Sequence, residues 1–314
     1  MPDSATLFLA RQIERLRSLP RKRIVFPEGT DARVQFAAAR LQQEGLIDPI
    51  LLKSSSEEGL YGDNFYELRR AKGITRVEAA EISRLPLYRA ALMVATGDAD
   101  GAVGGAVNTT AETARAALQV IGPRAGVRTI SGVFFMCVED RLQGHDDVLA
   151  FADCALVVDP SAVQVAEIAI STAHSTRSVI GADPRVALLS FSTKGSAKHP
   201  DADKMIEALR ILRECAPELS VDGEMQADAA LVPFVGASKS PGSSVAGRAN
   251  ALIFPGLASA NIGYKLVERL GGAVAFGPFL QGLAKPMNDL SRGCSAEEIY
   301  GAAIITAIQA HEHL

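Results

Sequence analysis

Residues 24–52 read IVFPEGTDARVQFAAARLQQEGLIDPILL. Ile24-Val25-Phe26 is a short apolar run that reads as a strand, and Pro27-Glu28-Gly29-Thr30-Asp31 is a turn ending in residues able to cap a helix. Val34, Ala37, Ala38 and Leu41 then recur at helical spacing, Gly45 supplies a stop, and Ile50-Leu51-Leu52 is the next strand. Two apolar strands joined by a helix imply a parallel sheet with helices on its faces.

The same alternation runs outward from this unit. Strands are predicted at 102–103, 132–138, 186–191, 252–254 and 274–276, and helices over 76–96, 110–121, 161–179, 201–215, 261–270 and 296–310. The class is therefore α/β. The polar stretch Ser54 to Gly59 is expected to be a flexible loop. The N-terminal segment through Arg23 reads as an amphipathic helix and a basic turn rather than a signal peptide. No run approaches the ~20 apolar residues of a membrane span.

At 314 residues the chain exceeds the usual size of one hydrophobic core. A net charge of −4 and 5% aromatics, with no tryptophan, argue against a basic nucleic-acid footprint or a stacking platform. Cys137, Cys154, Cys215 and Cys294 form no C-x-x-C pair, so free thiols and a cytoplasmic location are expected. The five histidines are dispersed, without metal-ligand spacing.

Four segments carry possible chemistry. Gly104 to Arg115 follows a strand and opens a helix. Its glycines admit close backbone approach, Thr109 and Glu112 have capping-box spacing, and free N–H groups with the Thr109 and Thr110 hydroxyls and Arg115 would attract an anion, the rival reading being a well-capped helix and nothing more. Leu189 to Lys198 runs from a strand into a loop rich in hydroxyls and lysine, including Ser192 and Lys194, and reads as a ligand loop or a solvated turn. Gly242 to Arg248 resembles a P-loop only faintly, since arginine replaces the lysine and no apolar strand leads in. Asn288 to Glu298 is a polar loop entering the last helix; Ser291-Arg292 pairs a hydroxyl with a guanidinium, and Ser295 with Glu298 makes a second capping box, a rival to any catalytic role for Glu298.

With these segments the sequence closely resembles the phosphate acetyltransferases of the phosphate acetyl/butyryltransferase family. The resemblance is carried by Ile24 to Gly29, Tyr66 to Gly73, Asn108 to Arg115, Phe151 to Cys154, Ser190 to Lys198, Val221 to Glu224, Pro241 to Asn250, Asn261 to Lys265 and, most specifically, Lys285 to Ser295. It implies two α/β/α domains with mostly parallel sheets and an interdomain cleft, the second domain (128–280) inserted in the first (1–127 and 281–314). It also implies a homodimer, with acetyl phosphate and coenzyme A as substrates, acetyl-CoA and phosphate as products, and no metal or redox cofactor.

Phosphate-contacting arginines of the family fall on Arg69, Arg115 and Arg292; guanidinium suits phosphate because its fork binds two oxygens. The serine that stabilises charge on the reacting carbonyl falls on Ser291, and the family's aspartate base on Glu298, where glutamate is a departure. Asn288, Ser192, Lys194, Thr109 and Thr110 complete the expected set. Asn108 stands where the family often has histidine, Ser244 where it often has proline, and the stretch from Lys53 to Phe65 is shortened. The implied reaction is direct attack by the coenzyme A thiolate in a ternary complex, not an acyl-enzyme on Cys294. The rival readings are a butyryl or propionyl transferase, or a non-catalytic module that binds acetyl-CoA or phosphate.

Overall fold

The structure, a computed structural model, describes residues 3–53, 60–139 and 147–312. The loop expected at Ser54 to Gly59 and the histidines His145 and His313 lie outside the described residues.

The chain runs through α1 (Asp3–Arg17), β1 (Arg23–Phe26), α2 (Ala32–Gln43), β2 (Asp48–Leu51), α3 (Gly62–Arg69), α4 (Arg76–Ser83), α5 (Pro86–Thr96), β3 (Gly101–Gly104) and α6 (Thr110–Val120). It continues through β4 (Ser131–Cys137), β5 (Val148–Ala152), α7 (Ala162–Ser175), β6 (Val186–Leu189), α8 (Pro200–Cys215), β7 (Val221–Met225), α9 (Ala227–Leu231), α10 (Pro233–Lys239), β8 (Ala251–Ile253), α11 (Leu257–Gly271) and β9 (Val274–Gln281). It closes with β10 (Met287–Asp289) and α12 (Ala296–Glu312).

Two compact units result, Leu9–Gly126 with Leu283–Leu314, and Val127–Gly282 with the chain start through Phe8. The start was expected in the other domain. Phe8 decides otherwise, because its buried ring packs on Phe135 and Phe276 with centroids 6.2 and 5.5 Å apart.

The first unit holds a four-stranded parallel sheet of order β10-β3-β1-β2. Val34, Ala37, Ala38 and Leu41 of α2 are buried, as their spacing predicts. Helix α12 is buried from Ile299 through Ala310, which suits its apolar composition on every face. The second unit holds a six-stranded sheet of order β7-β6-β8-β5-β4-β9, parallel across its first four strands and antiparallel at β4. The fold class is α/β, and no helix among the described residues is long and apolar enough to cross a membrane.

Two departures from the sequence reading have simple causes. The single helix predicted over 76–96 is two, because Leu85 precedes Pro86 and takes an extended conformation (φ −62°, ψ 131°), which starts α5 afresh. Strands β7 (VDGEM) and β10 (MND) carry no apolar run, yet Asp222, Glu224, Asn288 and Asp289 within them are buried. Hydropathy cannot find strands whose interior side chains are polar.

Candidate functional site

The site is assembled in the four-stranded unit, where the loops that follow β1, β3 and β10 meet at the carboxyl ends of adjacent strands. That edge is where parallel sheets bind ligands. Gly105 turns the chain after β3 at φ +99°, and a Cβ there would lie 2.3 Å from Asp289 Oδ1, so only glycine fits.

The next residues wrap the carboxylate of Glu28, from the turn after β1. It accepts hydrogen bonds from the N–H groups of Gly105 (3.1 Å), Ala106 (2.9 Å), Val107 (3.1 Å) and Asn108 (3.0 Å), and from Asn108 Nδ2 (2.7 Å). Thr109 caps α6 in a complete capping box, its N–H and hydroxyl each donating to Glu112 at 2.8 Å. The N–H groups of Gly105 to Thr109 are bound to two internal carboxylates, which leaves the first N–H groups of α6, at Thr110 and Ala111, and nearby side chains to meet an anion.

The basic side chains nearby are arginines. Arg69 and Arg115 both lie by Tyr88; burial raises its hydroxyl pKa, and the two guanidiniums oppose that rise. Arg115 and Arg292 both lie by Glu112, whose pKa is lowered first by its hydrogen bonds from Thr109 and then by these two charges. Among the described residues, none of the three guanidiniums is held in an ion pair or hydrogen bond. Arg115 also lines a cavity of about 600 Å³, together with Glu28, Tyr88, Asn108 and Glu112 and the apolar Ile82, Leu85 and Leu87.

Ser291 and Arg292 sit exposed on the turn after β10, closed by the Cys294 N–H on the Ser291 carbonyl at 2.9 Å. The Ser291 hydroxyl receives only a long contact from the Gly293 N–H, 3.4 Å. Glu298 does form the cap. Its Oε2 accepts from Ser295 N–H (2.7 Å) and Ser295 Oγ (2.9 Å), while Oε1 accepts no bond among the described residues. Cys294 is buried, and burial pushes its thiol up to about 11, so little of the nucleophilic thiolate forms there.

Asp289 is only 1% exposed, and neither carboxyl oxygen accepts a well-formed hydrogen bond. Burial pushes its pKa up to about 6; the Thr110 and Thr113 hydroxyls temper the rise and Glu28 adds to it. Thr110 thus faces the buried Asp289 at the start of α6.

Three members of the expected set use their polar atoms internally. Asn288 is buried and donates to Thr306 Oγ1 (2.8 Å) and Gln309 Oε1 (2.6 Å), tying β10 to α12. In the six-stranded unit, buried Ser192 donates to Glu224 at 2.7 Å, and Lys194 binds Asp222 and the Gly223 carbonyl. Their sequence promised ligand donors; the structure shows a loop that closes on itself.

The model of the phosphate acetyl/butaryl transferase family matches residues 7–60 and 53–307, nearly the entire chain. The chain belongs to that family. It is 47% identical to a phosphate acetyltransferase of Acetivibrio thermocellus, over 96% of this chain and 98% of that protein. It is 46% identical to one from Paracoccus denitrificans, over 92% and 95%. The crystal structure of a phosphotransacetylase from Streptococcus pyogenes superposes with a TM-score of 0.90 at 44% identity, covering 98% of this chain and 99% of that one. A branched-chain phosphotransacylase from Enterococcus faecalis shares the fold at 18% identity, with a TM-score of 0.68 and coverage of 92% and 99%.

In this phosphate acetyl/butaryl transferase, four residues at the site escaped the sequence reading: Glu28, Arg33, Tyr88 and Asp289. Glu28 stood in the turn and in the resemblance segment Ile24 to Gly29 without a role, because its partners lie 77 to 80 positions away. Arg33 lies on the polar face of a helix recognised by its apolar one. No spacing rule reaches across such distances.

Proposed function

We propose that the chain is a phosphate acetyltransferase that transfers the acetyl group reversibly between acetyl phosphate and coenzyme A, with no metal or redox cofactor. The observation that carries this reading is that Arg69, Arg115 and Arg292, related through Tyr88 and Glu112, hold no ion pair among the described residues, with the Ser291 hydroxyl exposed on the turn that carries Arg292. Acetyl phosphate carries about two negative charges near neutrality, and coenzyme A brings further phosphates.

The coenzyme A sulfur attacks the acetyl carbonyl carbon. The carbonyl oxygen takes up negative charge next to Ser291, and the carbon–oxygen bond to phosphate then breaks. Phosphate departs with both bonding electrons, against the Arg292 side chain. One donor such as Ser291 lowers the barrier by about 3–4 kcal/mol. A thiol with a pKa of ~8.5 is mostly protonated at pH 7, so a base helps. Glu298 is assigned that role through Oε1, with Oε2 left on the helix cap. The high thiol pKa of Cys294 supports direct transfer over an acyl-enzyme.

A homodimer is part of this reading. Ile262, Leu266 and Leu270 are exposed at four-residue intervals on α11, which gives that helix one apolar face able to meet a second copy. Coenzyme A as substrate places the reaction in the cytoplasm.

The test is thioester formation from coenzyme A with acetyl, propionyl and butyryl phosphate. The highest kcat/KM is expected with acetyl phosphate. A preference for butyryl phosphate would favour the longer-chain reading, and no thioester with any of them would leave a binding module. The proposed site fails if Ser291→Ala and Arg292→Ala each keep kcat within about threefold of wild type.

A further inference from the structure

Arg33, in the first turn of α2, makes five hydrogen bonds with its guanidinium. Nε and Nη2 donate to the two Asp31 carboxylate oxygens at 3.0 and 2.8 Å. Nη2 also donates to the Ala106 carbonyl at 2.9 Å, and Nη1 to the carbonyls of Arg292 (3.1 Å) and Cys294 (2.8 Å). A guanidinium has five N–H donors, so every one is used. The Asp31 carboxylate that orients it also caps α2, accepting from the Arg33 N–H at 2.8 Å.

The three carbonyls belong to two loops far apart in sequence. Ala106 lies in the turn that leads through Thr109 into α6, the helix that carries Arg115. Arg292 and Cys294 belong to the turn that presents Ser291. These loops follow β3 and β10, and Arg33 follows β1; the three strands are neighbours in the sheet order. Among the described residues, neither Arg115 nor Arg292 has a protein partner of its own, so their separation must be set through their backbones. Arg33 is the side chain that joins those backbones.

We infer that Arg33 is a positioning residue that sets the distance between the loop leading to Arg115 and the Ser291–Arg292 turn by bridging their carbonyl groups. The inference rests on the acetyltransferase reading for its effect on turnover, not for its effect on the loop. A lysine could make at most three of the five bonds and cannot reproduce the fork. Misplacement of a catalytic turn by about an ångström lowers turnover by up to roughly a hundredfold.

Two measurements on the full chain test this. The first needs no enzymatic activity. Cys294 is buried and its carbonyl is one of the anchors, so iodoacetamide labelling of Cys294, followed by peptide mass spectrometry, reports the loop. Arg33→Ala is expected to speed labelling of Cys294 at least about tenfold while the buried Cys137 and Cys154 keep their wild-type rates. The second is a double-mutant cycle in the thioester assay. Arg33→Ala should lower kcat/KM at least about tenfold in the wild-type background, but less than about threefold in the Arg292→Ala background. Arg33→Lys should fall between wild type and Arg33→Ala in both measurements, and it replaces Arg33→Ala if that variant does not fold.

An unchanged Cys294 rate overturns the inference, as does an equal loss in both backgrounds. Faster labelling of all three buried cysteines would mean general loosening, and would overturn it too. If the wild type forms no thioester, the acetyltransferase reading falls, and the labelling experiment still decides the role of Arg33.

Discussion

Two loops in this protein look alike as sequence and behave in opposite ways. Ser190 to Lys198 follows β6, and Leu290 to Ser295 follows β10. Both leave the carboxyl end of a parallel strand, and both mix hydroxyls with a basic side chain. After β6 the donors turn inward, with Ser192 on Glu224 and Lys194 on Asp222. After β10 the Arg292 and Cys294 carbonyls are tied down by Arg33, while Ser291 and Arg292 stay exposed, the hydroxyl with only the long Gly293 contact and the guanidinium with no ion pair among the described residues. What separates them is where the nearest carboxylates sit. Strand β7 puts Asp222 and Glu224 beside the first loop. Beside the second, Glu28 is already saturated by five N–H groups and Asp289 is buried. Here the cations stay out of ion pairs because Glu28 is bonded elsewhere and Asp289 is buried.

The strongest way to break this contrast is to exchange the expected effects on catalysis. Ser291→Ala should lower kcat by about 10²–10³, whereas Ser192→Ala and Lys194→Ala should stay within about threefold in kcat and instead lower the denaturant midpoint. Steady-state kinetics with acetyl phosphate, beside urea titrations, would show it, and a hundredfold kcat loss in Lys194→Ala would end the comparison.

Next in size is the carboxylate under the β3 loop. Glu28→Gln puts an NH₂ group against N–H donors that now share two anionic oxygens, and should cost about 3 kcal/mol of stability. A loss below about 1 kcal/mol in chemical denaturation would mean that the loop does not depend on that charge.

Asp289 gives the pH test. Its folded pKa, about 6, lies above the ordinary carboxyl value of 3.8 because burial penalises the charged form. The folded state therefore holds this proton more tightly than the unfolded chain does. Stability from this group is present below pH ~4, falls as the pH rises to ~6, and leaves a penalty of roughly 2–3 kcal/mol above that. Asp289→Asn carries no such penalty. Its stability relative to wild type should rise by roughly that amount between pH 4 and pH 7 in paired urea titrations; a pH-independent difference would show that the carboxyl is not so perturbed.

The smallest expected structural effect is at Glu298. Glu298→Gln keeps a capping side chain at the third helical position, so the thermal midpoint should move by no more than a few degrees. If Oε1 is the base, kcat should nevertheless fall by about 10² or more. A kcat that follows the small stability change would leave Glu298 as a helix cap alone.

Much of the architecture was legible because it rests on local rules. Val34, Ala37, Ala38 and Leu41 announced α2 and its buried face, and Thr109 with Glu112 announced the cap of α6. The family resemblance was carried most specifically by Lys285 to Ser295, and among the described residues the arginines that the resemblance singled out, Arg69, Arg115 and Arg292, are held in no ion pair. The reading failed where a polar residue is buried or a partner is distant. Asn288 looked like a ligand donor and is an internal brace, and β7 was hidden by its own acidic side chains.

By itself, then, the sequence determined the α/β class, the helix starts and the chemical kinds of group at the site. These follow from periodicity and capping, which act over three or four residues. Only the tertiary structure decided which of those groups are occupied. Glu28 meets a loop some 77 residues away and Arg33 one 259 residues away. Whether a charge is satisfied depends on what the fold brings within about 3 Å of it, and no local pattern encodes that distance.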